Sequence, residues 1–173
     1  MDGIRVAIAL GSNLGDRARY LRDALEALAS DISSLRVSSF YETDPVDMPG
    51  NPPRVMNAAA VGETSLSAPH LLRRLLGVER ELGRERPYPG ASRTVDLDLI
   101  LYGDAMIDEP PELVVPHPRF RERLFVLEPL AEVASDWIDP VTRLTVAQLV
   151  EALRDEQRCR NGVNGKGRLK GGP

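Results

Sequence analysis

Three observations predict an α+β fold with a ferredoxin-like βαββαβ core. The hydrophobic patterns over residues 4–102 run strand, helix, strand, strand, helix, strand. Both helical segments are apolar along one stripe only, so both lie on one face of an antiparallel sheet. The last strand, Asp96-Leu97-Asp98-Leu99-Ile100-Leu101, alternates acidic and apolar residues before running into a purely apolar end. Further helical segments follow and are expected to cover the other sheet face. With 173 residues and 42% hydrophobic content, one compact domain over 1–157 is expected, followed by a disordered, basic, glycine-rich tail over 158–173.

Ile4 to Leu10 reads as the first strand, ending in a turn, Gly11-Ser12-Asn13-Leu14-Gly15-Asp16. No Gly-Lys-Ser/Thr follows, so the turn is not a Walker A loop. Asp16 is placed to cap a helix reaching about Ser30, with Leu21, Leu25 and Leu28 as its buried stripe. Leu35 to Glu42 reads as the second strand, then a long proline-stiffened loop spans Thr43 to Pro53. Val55 to Thr64 is the third strand, where Asn57 is either a satisfied core amide or an amide that pairs with a heterocycle edge. Ser67 caps a helix to about Leu82, with Pro69 in its first turn, and Gly83 stops it. Beyond Tyr102-Gly103-Asp104 come short apolar pieces at Met106-Ile107 and Leu113 to Pro118, then a short helix from Leu127 to Ala134 with Pro129 in its first turn. Thr145 and Gln148 form a capping box opening a helix to about Arg154.

Composition excludes several classes. No apolar run is long enough to span a bilayer, and the first strand lacks a basic leader, so a cytoplasmic protein is expected. One cysteine and two histidines give no zinc spacing. A net charge of −4 and 5% aromatics argue against nucleic acid as a partner. The arginines are nevertheless clustered: Arg80, Arg84, Arg86 and Arg93 precede the acidic strand, while Arg119, Arg121 and Arg123 follow it. Side chains alternate along a strand, so Asp96 and Asp98 share one face. Two like charges there need either water, a cluster of arginines, or a hard cation such as Mg²⁺. Arginine forks grip phosphate or carboxylate oxygens in pairs.

Several separated segments together resemble the 6-hydroxymethyl-7,8-dihydropterin pyrophosphokinase family of folate biosynthesis. They are Gly11-Ser12-Asn13-Leu14-Gly15, Phe40-Tyr41-Glu42-Thr43-Asp44-Pro45, Asn57-Ala58-Ala59, Glu79 to Arg86, Arg93-Thr94-Val95-Asp96-Leu97-Asp98-Leu99, Val115-Pro116-His117-Pro118-Arg119 and Arg123 to Leu130. The resemblance implies Mg²⁺-dependent transfer of diphosphate from ATP to the hydroxymethyl group of a reduced pterin, releasing AMP. It implies that Asp96 and Asp98 hold two Mg²⁺ ions and that Arg84 and Arg93 act with them in catalysis. Glu79, Arg84, Arg93, His117 and Arg123 match nucleotide-contacting positions. Thr43, Asp44, Val46, Asn57 and Phe125 match positions that read or stack on the pterin. The chain departs from the pattern in two places. Val55 stands where a second stacking aromatic is usual, and Tyr88-Pro89-Gly90-Ala91-Ser92 replaces a tryptophan-bearing lid sequence. A free-standing monomer with small-molecule partners is the simplest expectation. The competing readings are a palm-like nucleotidyl transferase, which would release pyrophosphate, and a ferredoxin-like binding module.

Overall fold

The computed structural model describes residues 3–44, 53–83 and 94–166, with side chains through Gly162. Its main sheet is built from β1 (Ile4–Ser12), β2 (Ser33–Val37), β3 (Tyr41–Thr43), β4 (Val55–Thr64) and β5 (Asp96–Tyr102). The strand order is β2-β4-β1-β5, with β3 also on β4. All pairings are antiparallel, which is the ferredoxin-like arrangement. A separate hairpin joins β6 (Ile107–Glu109) to β7 (Leu113–Val115).

Two hydrophobic layers sandwich the sheet. On one side α1 (Arg17–Leu28) and α2 (Ala68–Leu82) bury Leu21, Ala24, Leu28, Leu71, Leu75 and Val78 against Val6, Ile8, Leu10, Val95, Leu97 and Leu99. On the other, α3 (Leu124–Ala134) and α4 (Val146–Lys166) pack against Ala7, Ala9, Ala59, Val61, Ile100 and Leu101. Asp16 caps α1 by accepting from the Arg19 N–H, and Ser67 caps α2 by accepting from the His70 N–H. The Thr145–Gln148 capping box forms in both directions.

Four local expectations are corrected and one is extended. The first strand runs on to Ser12, so Gly11 is a strand residue and not part of the turn. The expected second strand divides into β2 and β3, because Ser38 turns its own hydroxyl onto the Ala59 N–H where the ladder breaks. The apolar pieces around Ile107 and Leu113 pair as a hairpin. Helix α3 begins at Leu124, which leaves Pro129 inside it, where the missing N–H cannot reach the Phe125 carbonyl one turn back. Helix α4 continues past Arg154 to Lys166, so residues 158–166 of the expected disordered tail are helical. Ion pairs such as Arg158–Asp155 and Arg160–Glu156 line that extension.

A bulge sits between Ala7 and Ile8, which face Leu101 and Leu99 and leave Ile100 as the extra residue of β5. Ile100 and Leu101 therefore both join the α3/α4 core, while Leu97 and Leu99 stay on the α1/α2 side.

Candidate active site

Because Val95, Leu97 and Leu99 face α1 and α2, Asp96 and Asp98 face the opposite way, toward the α3/α4 side. Both acids are half-buried. Register then lays out one row across the sheet: Tyr41 opposite Asn57, Asn57 opposite Gly11, and Gly11 opposite Asp96. One step along, Ala59, Ala9 and Asp98 form the next row. Two strand spacings put Asn57 and Asp96 about 10 Å apart, with a residue between them that has no side chain. A Cβ on Gly11 would lie 3.4 Å from the Asn57 Oδ1 and 3.8 Å from a Val55 methyl. The result is a flat floor with an amide at one end and carboxylates at the other.

The amide end is already fixed in orientation. Asn57 is buried, and its Nδ2 donates to the Thr43 Oγ1 at 2.6 Å across the β3–β4 pair. Its Oδ1 is directed to the side of Gly11. Asp44 is exposed and pairs with Arg54 at 3.3 Å. Arg17 ties both ends of the loop that follows, pairing with Glu42 and donating to the Arg54 carbonyl. A cavity of about 340 Å³ opens there at the end of β1, lined by Asn13, Leu14, Gly15, Arg17, Glu42, Pro53 and Arg54. The ties made by Arg17 and Glu42 are not visible in sequence spacing, since the partners lie on different elements.

At the carboxylate end, the segment after β7 docks on the free edge of β5 through the His117 N–H to the Ile100 carbonyl, 2.9 Å. Burial pushes the His117 imidazole below its usual range. The Arg123 charge adds to this, the Asp96 charge opposes it and the Arg119 charge adds again. His117 is therefore neutral at pH 7. Its Nδ1 accepts from the Arg119 N–H at 3.2 Å, so the ring proton sits on Nε2 and is available to an anion. Arg123 begins α3 and lies over the Phe125 ring, 5.6 Å from its centroid. Behind this segment Arg121 grips the buried Asp139 through both carboxylate oxygens, at 2.5 and 2.8 Å. Burial alone would raise the Asp139 carboxyl. The Arg121 guanidinium, the Thr142 hydroxyl and the Val141 N–H outweigh that and hold it below its usual range.

The structure thus gathers Thr43, Asn57, Asp96, Asp98, His117, Arg123 and Phe125 on or beside one sheet face. Glu79 is separate: it is buried at the C-terminal end of α2, on the other side of the sheet. Val46, Arg84 and Arg93 lie outside the described residues, as does Tyr88. Among the described residues no group of three or more histidine, cysteine, aspartate or glutamate side chains forms a metal cage, and no helix is long and apolar enough to cross a membrane.

The chain is similar to known proteins in both sequence and fold. The chain is 47% identical over 128 residues to a 2-amino-4-hydroxy-6-hydroxymethyldihydropteridine pyrophosphokinase of Bacillus subtilis, covering 73% of this chain and 75% of the relative. It is 38% identical over 156 residues to a folic acid synthesis protein of Pneumocystis carinii, covering 90% of this chain but spanning only 21% of that longer protein. A solved HPPK-DHPS chain of Plasmodium falciparum superposes with a TM-score of 0.72 at 12% identity, over 94% of this chain and 45% of that one, which shows a shared fold. Residues 7–135 match the model of one family, and the chain accordingly belongs to the 7,8-dihydro-6-hydroxymethylpterin-pyrophosphokinase (HPPK) family.

Proposed function

We propose that this chain transfers a diphosphate from ATP to 6-hydroxymethyl-7,8-dihydropterin, releasing AMP, as a cytoplasmic enzyme of folate biosynthesis whose catalytic unit is residues 1–157. The observation that carries the reading is the row Asn57, Gly11, Asp96. A planar bicyclic ring lies over the glycine, its amide edge meets the Asn57 side chain, and its hydroxymethyl arm points toward the carboxylates. Thr43 orients the Asn57 amide through their hydrogen bond. Asp44 and Val46 belong to the loop whose backbone reads the same edge, and Phe125 stacks on the ring from α3.

The donor set of Asp96 and Asp98 fits Mg²⁺, which takes one or two carboxylates and fills its remaining positions with water and phosphate oxygens. Mg²⁺ held by Asp96 and Asp98 would supply neutralisation of triphosphate charge at the transferred phosphorus. The chain's own groups do the rest. Neutral His117 donates from Nε2 to a phosphate oxygen, and Arg123 pairs with the triphosphate beside it. Arg84 and Arg93 complete the phosphate grip. A carboxylate oxygen of Asp96 or Asp98 receives the hydroxymethyl proton as the new P–O bond forms. The β-phosphorus changes partners and AMP departs.

Incubation with ATP, Mg²⁺ and the pterin, with products identified by mass, tests this reading. AMP and pterin diphosphate are expected from the parent, and a loss of at least about a thousandfold from the Asp96→Ala, Asp98→Ala double variant. Pyrophosphate release would instead mean nucleotidyl transfer and would overturn the proposal.

A further inference from the structure

We infer that Glu132 is a positioning residue that sets the width of the pterin cleft, a role that rests on the functional reading above. Its exposed carboxylate receives three hydrogen bonds from β3 and the residue two before it, more than ninety positions away in the chain. The Ser39 N–H and the Ser39 hydroxyl donate to Oε1 at 3.0 and 2.7 Å, and the Tyr41 hydroxyl donates to Oε2 at 2.5 Å. The bonds are charge-assisted. They bridge the two walls of the site. Phe125 lies seven residues before Glu132, two helical turns away on the same face, so the stacking ring and the carboxylate ride on one helix, α3, with Pro129 between them. Tyr41 faces Asn57 in register and precedes Thr43 by two residues, so it carries the edge-reading pair.

β3 needs such an anchor because it is only three residues long and, among the described residues, pairs with β4 alone. Each of its outward bonds therefore weighs heavily on where Thr43 stands. The contact is also constant in charge. The hydrogen bond to Glu132, partial burial and the Glu132 and Glu128 charges push the Tyr41 phenol up to about 12. The Tyr41 and Ser39 donors hold the Glu132 carboxyl below its usual range. At neutral pH Tyr41 always has a proton to give and Glu132 always accepts. Because the carboxylate is exposed, the contact adds little to global stability, which separates positioning from folding.

The test compares Glu132→Ala and Glu132→Gln with the parent. Pterin and ATP KM values come from AMP release, pterin dissociation constants from calorimetry without turnover, and folding from thermal melts. Glu132→Ala should weaken pterin binding about tenfold by both measures, with ATP KM changed by less than about twofold and a melt close to the parent. Glu132→Gln keeps an acceptor oxygen for Ser39 and should recover most of the loss. Unchanged pterin binding in a folded Glu132→Ala, an equal loss for both substrates, or a glutamine variant no better than alanine would each overturn the strut. A parent that binds no pterin and releases no AMP would remove the functional reading itself, and the strut with it.

Discussion

Gly11→Ala separates the binding floor from the fold. The residue is an ordinary strand position between Asn57 and Asp96, and the nearest atoms to an added Cβ are 3.4 and 3.8 Å away, so the methyl fits without displacing the strand. Replacing glycine in a strand should add about 0.5 kcal/mol of stability, which raises the melting temperature by roughly 1–2 °C in a chain of this size. Binding should respond in the opposite sense. The methyl carbon stands about 1.5 Å from the Cα, and a ring lying on the floor must rise or tilt by a comparable amount. A hydrogen bond of roughly 3 Å to Asn57 does not survive such a shift. Losing it, together with part of the Phe125 stack, amounts to about 2–3 kcal/mol, or roughly a 30-fold to 150-fold loss of pterin affinity. Calorimetry with the pterin and a thermal melt of the same sample read both quantities. A variant whose affinity stays within about threefold of the parent would refute the flat floor. A melt several degrees lower would refute the room for the methyl beside Gly11.

Arg121→Ala should leave the Asp139 carboxylate buried with only the Thr142 hydroxyl and Val141 N–H as partners. The expected cost is about 3 kcal/mol, seen as a drop of roughly 6–12 °C in the melt. Asp139 itself imposes an acid limit. Its carboxyl is held below 3.8, so the stability it contributes is complete above that value and is lost as pH falls through the native value. Urea titrations of the parent and of Asp139→Asn should therefore converge at strongly acidic pH. His117 acts in a higher window. Its native value lies below 6.5, so the unfolded chain takes up the proton first and stability declines as pH drops from 6.5 toward that value. Substituting His117→Asn should flatten this part of the stability profile, and an unchanged slope would mean the ring is solvated.

The elements were largely legible because their signals are local. The Asp16 and Ser67 caps, the Gly83 stop and the one-sided stripes of α1 and α2 each depend on residues a few positions apart. The errors arose where a distant contact overrode a local one. Ser38 splits β2 from β3 by bonding to Ala59 on another strand. Pro129 reads as a first-turn residue, yet α3 starts at Leu124, after a short 3-10 turn at Phe120–Glu122 that Arg121 fastens to Asp139. The acidic pair was legible from its spacing alone. The floor was not, because Gly11 becomes part of a site only through its register with Asn57 and Asp96, and register is a property of paired strands. Glu132 and Arg17 were missed for the same reason: each is an ordinary surface charge until β3 is placed beside it.

The extra residue at Ile100 bears on how this strand tolerates insertions and deletions. Side chains alternate from Val95 to Leu99, and the bulge resets the phase before Leu101. The acidic half and the apolar half of β5 are therefore phased independently. Removing Ile100 would restore a regular ladder there while leaving Asp96 and Asp98 on their present face. Removing one residue between Asp96 and Leu99 has no such outlet: it would turn a carboxylate into the layer beneath α2, or force the whole strand out of register with β1. Length variation in descendants of this chain should accordingly accumulate at the bulge and beyond it, and be absent from the segment between the threonine at 94 and the leucine at 99.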